Sequence, residues 1–152
     1  MKKLVITLTM AAVLVGGSGI AQAGHPVLPA GKPFVSLSVT PDKLDLGTIP
    51  YGDIYDPPAV LTVKVRSNCR HGRILVSSTN LKNDVGVSIP PKRIFIKAPA
   101  TGGFVPMTKP VAISKTMKGS HDIELNFRVQ SDSQDLAGKY TGTLIFTIMP
   151  PP

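Results

Sequence analysis

Side chains that could serve as nucleophiles or general bases are few in this 152-residue sequence. The chain has one cysteine, Cys69, and three histidines, His25, His71 and His121. A single thiol allows neither an intramolecular disulfide nor a cysteine-cluster zinc site. Serines are frequent, but no Gly-x-Ser-x-Gly turn that would expose a nucleophilic serine occurs. The sequence therefore predicts a protein that is not an enzyme and that carries no cofactor.

The acidic side chains fit turns better than catalysis. Glu124 is the only glutamate, and most of the aspartates fall between apolar stretches. Aspartate in a turn commonly bonds to the local backbone, so we expect no paired-carboxylate site. These turn aspartates are Asp42, Asp53, Asp56, Asp84, Asp132 and Asp135.

Metal binding has one weak candidate, His25. Processing after Gly24 would leave His25 at the N-terminus, where its amine and imidazole could chelate copper. Processing after Ala23 fits the small-residue rule for cleavage sites better, and Pro26 lacks the next backbone N–H. We therefore predict no metal site. For Cys69, an inert buried thiol is favoured and an intermolecular disulfide stays open as the alternative.

Basic residues give the chain a formal net charge of +8. We expect Lys64, Arg66, Arg70 and Arg73 to cluster at one end of the fold, as a candidate site for an anionic polysaccharide or cell-wall polymer. A solvated basic surface is the alternative. No aromatic stacking platform accompanies the charge, so the sequence does not favour nucleic acid.

The N-terminus has the pattern of a signal peptide over residues 1–23. Lys2 and Lys3 precede an apolar run, glycines interrupt it, and small residues flank Gln22 at a cleavage site. The run is too short to span a membrane. We expect a secreted protein (periplasmic, cell-surface or extracellular) with no transmembrane segment after processing.

The rest of the chain alternates between apolar and polar residues. Residues 24–33 contain three prolines and are predicted to form an extended arm. Residues 34–152 then read as one domain. Alternation is clearest at 35–40, 61–66, 122–129 and 140–148, with shorter candidates at 43–49, 74–78, 85–89, 93–97 and 110–114. Turn signals at this spacing predict an all-β sandwich of about seven to nine strands.

Two stretches resemble known Ig-like domains. Ser38 to Gly52, with Thr-Pro-Asp-Lys-Leu-Asp-Leu-Gly-Thr-Ile-Pro-Tyr-Gly, resembles the opening strands of domains of the major-sperm-protein and Hydin type. Asp135 to Ile148, with Ala-Gly-Lys-Tyr-Thr-Gly-Thr-Leu-Ile-Phe, is similar to the last strand of fimbrial pilins, spore-coat-type pilins and WxL surface proteins. These resemblances imply an Ig-like antiparallel β-sandwich. The pilin disulfide and the WxL tryptophans have no counterpart in this chain.

Tyr140, Leu144 and Phe146 are the structural residues of the second stretch. A tyrosine that enters a strand after Ala-Gly can bury its ring while its hydroxyl bonds to upstream backbone, as in a tyrosine corner. An ordinary core aromatic is the alternative for Tyr140.

Three functions remain open. The favoured one is a structural or adhesive cell-surface protein, pilin-like, that associates with itself or with another envelope protein by β-strand addition. Phe34, Val35, Leu37 and Val39 are the candidate donor residues, although the same stretch can form the first strand of its own domain. The second is a monomeric binding module that holds an anionic envelope polymer through its basic end. The third is a small copper or redox protein that uses His25 or Cys69.

Overall fold

The computed structural model of the chain describes residues 33–148 and the backbone of two short segments, 6–7 and 9–10. Apart from those segments, the predicted signal peptide lies outside the described residues. So do the arm up to residue 32, including His25, and the last residues from 149 onward. Within the described part of the chain, no helix is long and apolar enough to cross a membrane.

The described residues form short and long β-strands and one 3₁₀ turn at Pro91–Arg93. The strands are β1 (Ile6–Thr7), β2 (Thr9–Met10), β3 (Val35–Thr40), β4 (Lys43–Leu44), β5 (Ile54–Tyr55), β6 (Val60–Ser67), β7 (Arg70–His71), β8 (Ile74–Ser78), β9 (Leu81–Lys82), β10 (Ser88–Ile89), β11 (Ile94–Lys97), β12 (Val105–Pro106), β13 (Val111–Ala112), β14 (Met117–Lys118), β15 (His121–Gln130) and β16 (Leu144–Ile148).

The larger sheet has six strands, all antiparallel to their neighbours. Its order is β12-β11-β15-β6-β3, and β5 pairs with the end of β15. The long strand β15 lies at its centre, and β3 forms one edge.

The smaller sheet has the order β13-β8-β16-β2. β8 pairs antiparallel with β13 and with β16, whereas β2 runs parallel to β16. Three two-residue ladders complete the fold: β9 with β10, β7 with β14, and β1 with β4.

Alternation along the strands buries one face of each sheet, because successive side chains in a strand point to opposite faces. Along β15, Ile123, Leu125, Phe127 and Val129 are buried, and the polar residues between them face outward. The apolar faces of both sheets join one buried cluster, which also contains Leu61, Val63, Val65, Ile74, Val76, Leu144 and Phe146. The prediction of an all-β, sandwich-like chain with antiparallel sheets is confirmed.

Two predicted strands are shorter in the structure because side chains bond to the backbone there. In the 85–89 stretch, Asn83 Oδ1 accepts hydrogen bonds from the N–H groups of Val85 and Val87, at 3.2 and 2.7 Å. Gly86 completes the turn with a φ of 89°. Only Ser88–Ile89 is left to pair. In the 43–49 stretch, Asp45 bonds to the N–H of Gly47, whose φ of 77° also favours glycine.

The last predicted strand begins at Leu144 instead of Tyr140. Thr141 forms an isolated bridge with Lys82, outside the ladder with β8. Gly142 lies against Leu81 so closely that a Cβ there would be 2.6 Å from Leu81 Cδ2. The chain thus runs beside β9 before it joins the smaller sheet.

Candidate functional site

One edge of β16 is covered only at two residues within the described part of the chain. On its inner side, β16 pairs along all five residues with β8. On its outer side, only Ile145 and Phe146 have partners, Thr9 and Met10 of β2. We call this outer side of Leu144–Ile148 the β16 edge.

Hydrogen bonds at the two ends of the ladder fix the direction of the backbone groups at the β16 edge. The Thr143 carbonyl accepts the N–H of Thr79 at 2.9 Å, so Thr143 points its backbone toward β8. At the other end of the ladder, the Ile74 carbonyl accepts the N–H of Ile113 at 2.9 Å. Ile113 follows β13, which lies on the opposite side of β8 from β16, so this carbonyl points away from β16. Since backbone groups alternate along a strand, the N–H and C=O groups of Leu144, Phe146 and Ile148 face the open side.

A single short segment reaches both the β16 edge and β4. Ile6 and Thr7 pair antiparallel with Leu44 and Lys43, and Thr9–Met10 then pair parallel with β16. Five extended residues span about 17 Å at most, so the two ladders lie close together. The two short strands that pair here with β4 and with β16 both belong to the predicted signal peptide.

The candidate donor residues lie within the larger sheet. Val35, Leu37 and Val39 are half-buried against the core, and Val35–Thr40 pairs with β6 over all six residues. Phe34 precedes β3, is 49% exposed, and donates its N–H to Asn68 Oδ1 at 2.8 Å. The stretch thus forms a strand of its own domain, the alternative fate considered for it.

The four candidate anion-binding residues lie on β6 and on the chain from β7 to β8. Lys64 and Arg66 lie on the outer face of β6 beside β15, where Arg66 pairs with Asp122 at 2.9 Å and Asp122 also stands opposite Lys64. Arg70 and Arg73 are exposed where the chain passes from β7 to β8. Arg70 stands directly opposite Lys118 in the β7–β14 ladder. Like charges in that position are unfavourable unless an anion lies between them.

Tyr140 forms the corner that its motif suggests. Its side chain is fully buried, and its hydroxyl donates a 2.6 Å hydrogen bond to the carbonyl of Leu136. Burial, with the nearby Asp135 carboxylate adding to it, raises the pKa of the Tyr140 phenol. The buried Leu144 and Phe146 follow it into the core. This corner sets the point at which β16 enters the smaller sheet.

Cys69 is half-buried in the turn after β6. Its Sγ lies 3.6 Å from the carbonyl oxygen of Phe34 and 3.6 Å from Ser67 Oγ. The thiol is therefore held by weak hydrogen bonds at the same end of the fold as β7.

A pair of histidines is the feature that sequence reasoning missed. The rings of His71 and His121 stack with centroids 5.2 Å apart and planes 16° from parallel. His71 is 1% exposed, and its Nδ1 donates to the Gly72 carbonyl at 2.8 Å. The Nε2 atom of His71 is buried without a hydrogen-bond partner. Both nitrogens of the half-buried His121 are shielded from solvent, and the Gly119 backbone acts on this ring as a hydrogen-bond acceptor. Sequence gives one hint: His121 takes the apolar place before Ile123 in an alternating run.

The electrostatics around His121 favour its uncharged form. Burial lowers the pKa of His121, and the neighbouring His71 lowers it further. Arg66 acts in the same direction, whereas the hydrogen bond to the Gly119 backbone and the Asp122 carboxylate oppose it.

No group of three or more His, Cys, Asp or Glu side chains suited to a metal ion occurs among the described residues. No protein-family model matches the chain, and a comparison with curated proteins finds no significant match.

Proposed function

We propose that this chain is an exported, non-enzymatic structural protein of the cell surface with an Ig-like fold, and that it accepts a β-strand from another protein at the β16 edge. The observation that carries the proposal is the pairing of Ile6–Thr7 with β4 and of Thr9–Met10 with β16. When the signal peptide is removed, that position loses its strand. Unpaired N–H and C=O groups that point outward from the edge of a sheet can form hydrogen bonds with an added strand.

The donor is best sought in a different envelope protein rather than in a second copy. Within this chain, Phe34–Val39 is already paired or half-buried against its own core. The arm over 24–33 carries prolines at 26, 29 and 33, which fall on both sides of an extended strand. A proline has no N–H to donate, so either orientation of the arm would interrupt the ladder.

The test places a photo-crosslinking amino acid at Ile145 in cells of the source organism. Ile145 is 37% exposed at the β16 edge, and Val60, 42% exposed in β6 of the other sheet, is the matched control position. We expect a product with one other envelope protein from position 145 and not from position 60. The crosslinked partner peptide should have alternating apolar residues. Equal amounts of crosslinked product from positions 145 and 60 would contradict the proposal. A product that contains only two copies of this chain would show that the β16 edge binds a second copy and not another envelope protein.

A second candidate function is the binding of an anionic envelope polymer, and the Arg70–Lys118 register favours it. Arg70, Arg73 and Lys118 are exposed, and none of them takes part in a salt bridge within the described part of the chain. A polyanion bound across Arg70 and Lys118 would offset the repulsion between their positive charges. Lys118→Glu should then weaken salt-sensitive retention on heparin, while Lys92→Glu, in the 3₁₀ turn, should weaken it less. Equal losses of heparin retention for the two variants would indicate a solvated basic surface and no specific polyanion site.

A further inference from the structure

We propose that two copies of this chain associate through β3, whose outer edge pairs with the same edge of the second copy about a two-fold axis at Leu37. Within the described part of the chain, β3 pairs only with β6, and its other edge has no neighbouring strand. This interface lies in the larger sheet, whereas the β16 edge belongs to the smaller sheet. The inference therefore does not depend on strand addition at the β16 edge.

β3 lacks the features that protect two other sheet edges against a further strand. Among the described residues, the opposite edge of the larger sheet is β12, which is two residues long and ends in Pro106. The β13 edge of the smaller sheet is also two residues long and follows Pro110. In contrast, Val35–Thr40 has six residues with neither a proline nor a charged side chain. A longer, uncharged edge strand without proline is the kind that pairs with another chain.

Hydrogen bonds at the start of β3 fix which backbone groups face its outer edge. The Phe34 carbonyl accepts the N–H of Asn68 at 3.3 Å, and the Phe34 N–H donates to Asn68 Oδ1 at 2.8 Å. Both backbone groups of Phe34 thus point toward the β6 side. Since these directions alternate along an antiparallel strand, the N–H and C=O groups of Val35, Leu37 and Val39 point away from β6. These groups are the donors and acceptors with which a second copy pairs.

The sequence of β3 is symmetric about Leu37. Read in either direction, residues 35–39 are Val-Ser-Leu-Ser-Val. An antiparallel second copy centred on Leu37 places the two Leu37 residues opposite each other, and it places Val35 of each copy opposite Val39 of the other. Each of these pairs exchanges both of its backbone hydrogen bonds. The association closes about a two-fold axis, because the same patch of each copy contacts its equivalent.

The same register extends the burial of an apolar row. Val35, Leu37 and Val39 pack against the core but are only half-buried, whereas Val63 and Val65, which stand opposite two of them in β6, are fully buried. In the paired copies, the apolar row of one chain continues into that of the other, and its outer side is shielded from water. Burial of apolar surface is the main favourable contribution to most associations between proteins.

Charge does not oppose this pairing. On the outer face, Ser36 and Ser38 stand opposite Arg66 and Lys64 of β6. The register places Ser38 of one copy opposite Ser36 of the other, so two serine positions separate Lys64 of the first copy from Arg66 of the second. Three strand spacings make this distance about 14 Å, beyond the screening length of about 8–10 Å in physiological salt. Serine hydroxyls opposite each other can also form a hydrogen bond across the interface.

The size of the contact sets the expected affinity. Pairing over residues 35–39 buries less surface than a permanent dimer does, and contacts of that size are typical of transient complexes. We therefore expect a reversible dimer with a dissociation constant on the order of 0.1 mM.

Disulfide trapping tests the register. The parent is the processed protein with Cys69→Ser, which removes its only thiol. In this parent, Leu37→Cys places two thiols on the two-fold axis, with Cα atoms about 5.5 Å apart, a distance that a disulfide bridges. We expect a covalent dimer under mild oxidation. Val35→Cys is the matched control, because the register keeps its two copies about 13 Å apart, and it should remain monomeric on a non-reducing gel.

Sedimentation equilibrium of the parent tests the association without a thiol. Val35→Pro removes an N–H that faces the outer edge, so the monomer loses no bond to β6, but the pairing of two copies is interrupted. We expect the parent to dimerise to the same extent in about 0.05 M and about 0.5 M salt, because no charged side chain lies in the contact. Val35→Pro should weaken dimerisation by about tenfold or more.

A charge variant carries the comparison if Val35→Pro does not fold. Ser38→Lys places two like charges diagonally across the axis, about 7–8 Å apart, and should weaken dimerisation. Thr62→Lys, in β6 opposite Thr40, adds the same charge away from the edge and should not. The proposal is overturned if the parent stays monomeric at about 1 mM, if Val35→Cys dimerises as readily as Leu37→Cys, or if the edge variants associate as the parent does. All of these substitutions lie in the larger sheet, so a failure here leaves strand acceptance at the β16 edge to its own test.

Discussion

Ile145 pairs with Thr9 in parallel register, whereas its pairing with Ser77 on the other side is antiparallel. The neighbour on the antiparallel side belongs to the folded domain. The neighbour on the parallel side belongs to the stretch that the sequence predicts to be removed on export. On the proposal made above, the smaller sheet includes β2 before processing and lacks it afterwards.

The buried ion pair of Arg93 with Asp135 should matter far more to stability than the exposed pair of Arg66 with Asp122. Arg93 contacts both carboxylate oxygens of Asp135, whose side chain is 4% exposed, and Asp135 also accepts the N–H of Asp132 at 2.7 Å. Asp135→Asn leaves Arg93, 17% exposed, with the exposed Asp132 at 2.9 Å as its remaining acidic partner, and we expect it to lower the free energy of unfolding by about 3 kcal/mol. Urea denaturation measures the loss.

Asp122→Asn is the matched control for that substitution. The Arg66 and Asp122 side chains are 49% and 47% exposed, so the loss should stay within about 1 kcal/mol. Similar losses for the two variants would show that burial does not set the strength of these pairs.

Tyr140 should make the protein sensitive to alkaline pH. Burial raises the pKa of its phenol, so the folded state holds this proton more tightly than the unfolded state. The contribution to stability is complete below pH of about 10, the pKa of an unfolded tyrosine, and is lost as the pH rises through the folded pKa. Urea denaturation at a series of pH values should show the free energy of unfolding falling above about pH 10.

Tyr140→Phe removes both the titrating group and the 2.6 Å hydrogen bond to Leu136. We expect it to cost about 0.5–1.5 kcal/mol at neutral pH and to flatten the alkaline fall. An equally steep alkaline fall in the variant would assign it to other groups.

Gly142 should be intolerant of alanine although its backbone has no positive φ. A Cβ there would lie 2.6 Å from Leu81 Cδ2 and 3.2 Å from the Asn80 carbonyl oxygen. Leu81 is buried and cannot move freely, so Gly142→Ala should destabilise by about 1–3 kcal/mol. Gly103→Ala is the control, because nothing lies within 4 Å of the place that its Cβ would take, and it should be neutral or slightly stabilising in thermal unfolding.

Period-two alternation was enough to predict the long strands of the fold. Val60–Ser67, His121–Gln130 and Ile74–Ser78 lie where the alternating residues place them, since each buries one face against the shared core. The two-residue strands β7, β9 and β14 were not predicted, because a ladder this short has no period to read. Their pairing depends on residues distant in sequence, such as Met117 opposite His71.

The candidate site was less accessible from the sequence. Which edge stays open depends on how β16 is paired, and alternation says nothing about strand neighbours. Alternation likewise does not show that cross-strand register places Asp122 beside Lys64 and Arg66, two of the candidate anion-binding residues. The histidine pair could not be predicted, because His71 and His121 lie 50 residues apart in the sequence and only the fold brings them together.

The most direct test of the account is whether the processed protein binds the strand it has lost. A peptide of residues 4–12, with lysines appended for solubility, contains Ile6–Thr7 and Thr9–Met10, which pair with β4 and β16. It should bind the processed protein saturably and raise the Tm of that protein. The same peptide with Ile6→Pro and Thr9→Pro lacks the N–H groups for either ladder and should do neither. A Tm that neither peptide changes, or that both raise equally, would contradict strand acceptance at the β16 edge.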